Sequence, residues 1–138
     1  MAKQLPRGIR NHNPLNIRKG NNWQGENPAA EDTAFEVFIN DLYGLRAGFK
    51  ILKRYLTVSP KADTLSKIIT RWAPPSDVGN DTDAYIATVA QRSGLNPNER
   101  LVFADKYRVC QMVKAMCLVE SQYEPSDRIL SDAYDMAK

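Results

Sequence analysis

The sequence predicts a mainly α domain, of α+β class, with one small β-hairpin near its start. Three observations carry this. Apolar residues recur at helical spacing through most of the chain beyond residue 40, capping and stop residues bracket each such run, and one short segment alternates apolar and polar positions. With 138 residues, 43% hydrophobic and 25% charged, the chain makes one domain spanning residues 1–138 and can bury a single core.

Residues 8 to 33 are crowded with Asn11, Asn13, Pro14, Asn16, Gly20, Asn21, Asn22, Gly25, Asn27 and Pro28, too broken for a long helix. Loops of this kind often carry function when a rigid scaffold holds them. Thr33 to Ile39 is rich in β-branched and aromatic residues and alternates Phe35, Val37 and Ile39 against Ala34, Glu36 and Phe38, which reads as a strand; Trp23 and Gln24 begin its hairpin partner. Asn40 or Asp41 caps a helix with Leu42, Leu45, Phe49, Leu52 and Leu56 on one stripe. Asp63 or Thr64 starts a shorter one through Leu65, Ile68, Ile69 and Trp72, stopped by Pro74 and Pro75. Asn80 or Asp81 caps a third through Tyr85, Ile86 and Val89, ending at Gly94. A short helical turn follows Pro97, then a long helix from Asp105 to about Ser121 that Pro125 cannot continue, and a last amphipathic piece from Asp127 to Ala137.

Lys and Arg number 19 against 16 Asp and Glu, giving +3 and a pI near 8.9. That mild excess suits an anionic surface without demanding one, so nucleic acid, cell wall and no polyanion at all stay open. The opening MAKQLPRGIRNHN has charge but no apolar stretch, so it does not read as a secretory signal, and no run reaches the length of a membrane span. The expectation is synthesis in the cytoplasm without stable membrane insertion. A target beyond the inner membrane then requires delivery by lysis, a pore or a virus particle. Cys110 and Cys117 fall on one helix, roughly 10 Å apart along its axis, beyond disulfide reach, and read as reduced core thiols. His12 is the sole histidine and no Cys-x-x-Cys pair exists, so neither a metal nor a cofactor is expected.

Glu120 is the most telling single position. Val109, Val113 and Met116 form a stripe on the long helix, and Glu120 continues it where the pattern runs out. Desolvation and the electronegative end of the helix both disfavour its anion and raise its pKa. A carboxyl that holds a proton near neutral pH can donate it to the leaving oxygen of a glycosidic bond. The plainer alternative is a helix-terminal glutamate that turns to solvent or pairs with Arg10 or Arg71.

The run Arg7-Gly8-Ile9-Arg10-Asn11-His12-Asn13-Pro14-Leu15-Asn16-Ile17 resembles the RGIRNNNPGNI opening of a family of small phage and prophage proteins, often labelled structural or virion proteins. Trp23-Gln24-Gly25, Phe35 to Phe38, Tyr43-Gly44-Leu45-Arg46-Ala47, Arg71-Trp72-Ala73-Pro74-Pro75 and Asn80-Asp81-Thr82 with Tyr85 resemble later pieces of that family in the same order. The family in turn resembles lysozyme-like lytic transglycosylases, in which a helix ends in a catalytic Glu-Ser. Here Val119-Glu120-Ser121 stands near the C-terminus and the loop-rich part at the N-terminus, which implies a circularly permuted version of that architecture. Departures are His12 for Asn, Leu15 for Gly, and Glu120-Ser121-Gln122 where the family has Glu-Asn-Gly; Gln supplies a positive φ less cheaply than Gly.

The resemblance implies cleavage of peptidoglycan glycan strands with Glu120 as acid and then base, phage particle components as further partners, and action at the cell wall or periplasm. A glycosidase using two carboxylates needs a partner for Glu120, for which Asp32, beside the hairpin, is the fallback. A transglycosylase needs one acid only, because the sugar's own 6-hydroxyl attacks. Asn13, Asn16 and Gln24 are the favoured cleft residues, with Trp23, Tyr85 and Ser121 beside them. Trp23, Trp72 and Tyr85 offer flat faces on which sugar rings can stack, but Trp72 and Tyr85 lie on apolar stripes and read more readily as core, Asn13 before Pro14 as a turn former, and Asn80 and Asp81 as caps rather than ligands. Two rivals stand against catalysis. One is a virion structural or glycan-binding protein without turnover. The other is nucleic-acid binding through Thr82 to Asn96, which the acidic Asp81 and Asp83 and the single distal Arg92 argue against.

Overall fold

The computed structural model describes residues 4–138; the first three residues of the charged N-terminal run lie outside it. Among the described residues six helices follow one another: α1 Arg7–Arg10, α2 Asp41–Thr57, α3 Leu65–Trp72, α4 Thr82–Ser93, α5 Lys106–Ser121 and α6 Asp127–Ala137. The caps are side chains the sequence offers. The oxygens of Asn40, Thr64, Asp81, Asp105 and Ser126 accept from the backbone N–H three residues on, satisfying one orphan donor at each helix start. Gly94 ends α4 in the left-handed conformation. No helix among the described residues is long and apolar enough to cross a membrane.

α5 is the central helix. Val109, Cys110, Met112, Val113, Ala115, Met116 and Cys117 bury most of its circumference, with α4 and α6 packed against it. α2 lies along α6, α3 along α4, and α1 touches α5. Tyr134 stacks on Phe103 at 4.8 Å and meets Phe49 edge-on at 5.7 Å, joining α6 to α2 and to the segment before α5. Both cysteines are free and buried, and burial pushes the thiol of Cys110 up to about 11 and that of Cys117 well above the ordinary range.

The expected hairpin is not formed as such. Among the described residues there are only two isolated antiparallel bridges, Arg18 with Phe35 and Glu26 with Phe38. Residues 34–39 divide their backbone bonds among different neighbours: Ala34 O with Lys19 N, Glu36 N with Ile17 O, Val37 O with Asn27 N, Phe38 N with Asn11 O and Ile39 N with Gly25 O. No single partner strand receives enough consecutive bonds to make a ladder. The alternation is also inverted, because Glu36 and Phe38 are buried while Ile39 is 52% exposed. After Pro97 the chain forms a turn in which the Asn96 side chain accepts from Asn98 N, instead of helix.

The N-terminal loops dock on the helices through glycines. A Cβ on Gly44 of α2 would collide with the carbonyl oxygen of His12, and one on Gly8 would meet Ser121 Oγ and lie 2.9 Å from Asn13 O. Backbone can approach backbone this closely only without a side chain. That approach brings the loop at residues 12–17 against the end of α5.

Candidate functional site

Glu120 occupies the last turn of α5, where Gln122 ends the helix in the left-handed region at φ 53° and ψ 35°. The chain thus adopts with glutamine the turn that glycine makes at lower cost, a strain of about 1 kcal/mol. Three elements converge on the Glu120 carboxyl. From α4, Tyr85 donates its hydroxyl to Oε2 at 3.0 Å. From the N-terminal loop, Asn16 donates to Oε1 at 3.3 Å and to the Glu120 backbone oxygen at 2.9 Å. The Trp72 indole at the end of α3 also acts on the carboxyl. Asn16 sits at φ 52°, a left-handed conformation that asparagine tolerates.

Burial raises the pKa of Glu120 above the usual carboxylate value, and it outweighs the Tyr85, Asn16 and Trp72 donors and the positive charge of Arg18, all of which favour the anion. Tyr85, nearly fully buried, is in turn pushed well above its ordinary value by burial and by Glu120, so it stays a neutral donor.

The carboxyl borders two depressions. On one side is a cavity of about 350 Å³ walled by Asn16, Arg18, Phe35, Tyr55, Trp72 and Asp77 with Glu120. On the other is one of about 340 Å³ walled by Asp81, Ala84, Tyr85, Thr88 and Val119. Glu120 and Asn80 belong to both, so the groove passes across Glu120. Its aromatic wall is fixed by neighbours: Tyr55 meets Trp72 edge-on at 6.2 Å, Arg71 lies 4.9 Å over Tyr55, and Arg18 lies 4.8 Å over Phe35.

Among the residues singled out by sequence, Glu120, Asn16, Tyr85 and Trp72 are brought together, with Asn80 and Asp81 along the same groove. Asn13, Ser121, Asp32, Trp23 and Gln24 are not among the residues that wall it. Asn13 is fully buried, donating to Ile17 O at 2.9 Å and Glu36 O at 3.0 Å and accepting from Ile17 N at 3.0 Å. Ser121 is also fully buried and donates to Pro14 O at 2.8 Å, so next to Glu120 it faces inward and ties α5 to the loop. Asp32 accepts from Arg7 at 2.7 and 2.8 Å, from Asn11 at 2.9 Å, and from the Ala34 and Phe35 amides. Those donors, Arg7 foremost, hold it far below the usual carboxylate range, and it is not among the residues walling the groove. Trp23 lines a different recess, and Gln24 is exposed. Arg10 donates to Leu5 O and Arg71 to Pro60 O, so neither pairs with Glu120.

Arg18, Tyr55 and Asp77 were not singled out. Arg18 and Asp77 lie in turn-rich loops whose course only the fold sets. Tyr55 could have been found as the aromatic one turn beyond Ile51, which also lines the groove.

The chain is similar to a phage protein. Over 102 residues it is 41% identical to Protein P5 of Pseudoalteromonas phage PM2, a match covering 71% of this chain and 62% of that protein. It therefore spans less than two thirds of the relative's length. No family model matches the sequence.

Proposed function

We propose that this chain is a phage-associated, lysozyme-like protein that cleaves the glycan strands of peptidoglycan, with Glu120 as the sole acid and base. The observation that supports this best is the raised, half-buried Glu120 carboxyl set across the middle of a groove with aromatic walls and room on both sides. Protonated Glu120 gives its proton to the departing glycosidic oxygen. The carboxylate then takes the proton of the sugar's 6-hydroxyl as that oxygen attacks the anomeric carbon, which leaves a 1,6-anhydro end. Tyr85 and Asn16 orient the carboxyl and stabilise it while it is charged. Asp32 takes no part in this route, since its oxygens are occupied by five donors. The reading includes delivery to the cell wall with a phage particle or at lysis.

A second reading is a virion component that binds glycan without turnover. It is favoured by the three donors that stabilise the Glu120 anion and by the similarity to a phage protein. Incubation of the wild type and Glu120→Gln with purified sacculi, followed by mass analysis, separates the readings. Anhydro ends from the wild type alone support the lyase, and reducing ends a hydrolase. Co-sedimentation of both proteins with sacculi and no soluble product supports the binding role. Equal turnover by both proteins removes Glu120 from the chemistry.

A further inference from the structure

The cavity beside Glu120 has a positioned guanidinium on its wall. Arg18 and Phe35 face each other across an antiparallel bridge, flanked by backbone bonds from Glu36 N to Ile17 O at 2.9 Å and from Lys19 N to Ala34 O at 3.0 Å. On that frame the Arg18 guanidinium lies 4.8 Å over the Phe35 ring, and Arg7, gripped by Asp32 at 2.7 and 2.8 Å, lies 4.5 Å over the same ring. Stacking occupies the flat face of a guanidinium and leaves the N–H groups at its edge free to donate. Among the described residues the Arg18 side chain makes no ion pair and no hydrogen bond, unlike Arg7, Arg100 and Arg108, each of which holds a carboxylate.

Arg18 is exposed, walls the cavity of about 350 Å³ together with Glu120, and lies near enough for its charge to act on that carboxyl. The other lining side chains that carry charge at neutral pH are acids, Asp77 and Glu120. An anionic substituent entering the cavity is therefore drawn to Arg18 and repelled by an ionised acid. We infer that Arg18 is a specificity-determining residue of the groove, taking a carboxylate borne by a muramic acid residue, so that the groove selects acidic glycan strands over neutral ones. This inference rests on the glycan-cleaving reading of the groove. The carboxylate has two sources of the same chemistry, the lactyl group of muramic acid and the peptide attached to it. A guanidinium meets either with two parallel charge-assisted hydrogen bonds, whereas a carboxamide brings no charge and accepts at one oxygen.

Binding is measured in Glu120→Gln, which has no turnover in that reading, from the fluorescence of Trp72 on the cavity wall. The three ligands are N-acetylglucosaminyl-N-acetylmuramic acid, its lactyl carboxamide, and the same disaccharide with L-alanyl-D-glutamate joined to the lactyl group. At least one of the two acids binds about tenfold or more tighter than the carboxamide, the scale of one charge-assisted hydrogen bond. An advantage of the free lactyl acid identifies that group as the source, and an advantage of the dipeptide form alone identifies the peptide. Arg18→Gln in the same background abolishes the advantage and leaves the affinity for the carboxamide unchanged, while Arg18→Lys keeps part of it. Equal affinity for all three ligands, or a preference that survives Arg18→Gln, overturns the inference and leaves the glycan reading standing. An equal loss for acids and carboxamide in Arg18→Gln overturns it in favour of a structural arginine. Binding of none of the three by folded protein overturns the glycan reading itself and this inference with it.

Discussion

Replacing Asn13 by alanine separates a structural asparagine from a substrate-binding one. The wild-type side chain makes three buried hydrogen bonds, two given to Ile17 O and Glu36 O and one taken from Ile17 N. Ile17 O keeps its second bond, from Glu36 N at 2.9 Å, so alanine leaves two buried backbone groups unpaired, Ile17 N and Glu36 O. At about 1–3 kcal/mol for each orphaned group, the loss is about 2–6 kcal/mol, a large part of the about 5–15 kcal/mol that holds an ordinary domain. Asn13→Asp restores the acceptor for Ile17 N but sets a buried charge against two carbonyl oxygens, so at neutral pH it loses at least as much. Urea unfolding followed by tryptophan fluorescence and far-UV circular dichroism measures both. A loss below about 1 kcal/mol for Asn13→Ala refutes the assignment of Asn13 to the frame of the loop and returns it to the list of cleft residues.

Two further outcomes follow from the same geometry. Gly44→Ala drives a methyl into the His12 carbonyl oxygen and destabilises by about 1–3 kcal/mol, whereas the methyl of Gly48→Ala meets a side-chain terminus, the Leu15 Cδ1, instead of backbone and costs less; equal melting temperatures for the two variants contradict this. Tyr85→Phe removes a donor that favours the Glu120 anion, so the Glu120 carboxyl titrates at higher pH, as read from its carbon resonance. Because folding already raises this pKa, the stability linked to Glu120 is full below the unfolded value and is lost as pH rises through the folded one. Tyr85→Phe extends that loss to higher pH, and a downward shift of the titration contradicts the role given to the hydroxyl.

The N-terminal third was the least legible part of the chain. Its alternation suggested a strand with Phe35, Val37 and Ile39 on one face, yet the opposite set is buried, because Asn13, Asn11 and the Asp32 side chain compete for the backbone groups that a partner strand would have used. Asn13, Asn16 and Ser121 look alike in one dimension as polar residues near the site. Only the docking of the loop through Gly8 and Gly44 turns Asn16 towards Glu120 and buries the other two. Asp32 similarly read as a free acid beside a hairpin until Arg7 and Asn11 closed on it.

The sequence by itself determined helices α2 to α6, although not the turn that stands after Pro97 where it suggested helix; it narrowed the caps of α2, α3 and α4 to two residues each and gave the central apolar helix and the placing of an acid at its end. These depend on spacing along one chain and on groups within a few residues of each other. The tertiary structure alone decided that Tyr85 and Asn16, 35 and 104 residues from Glu120, hold its carboxyl, and that a groove crosses it. It also decided that Glu36 shares a recess with Trp23. The physical reason is that burial and hydrogen bonding depend on what comes near in space, and loops without a period give no register from which to foresee it.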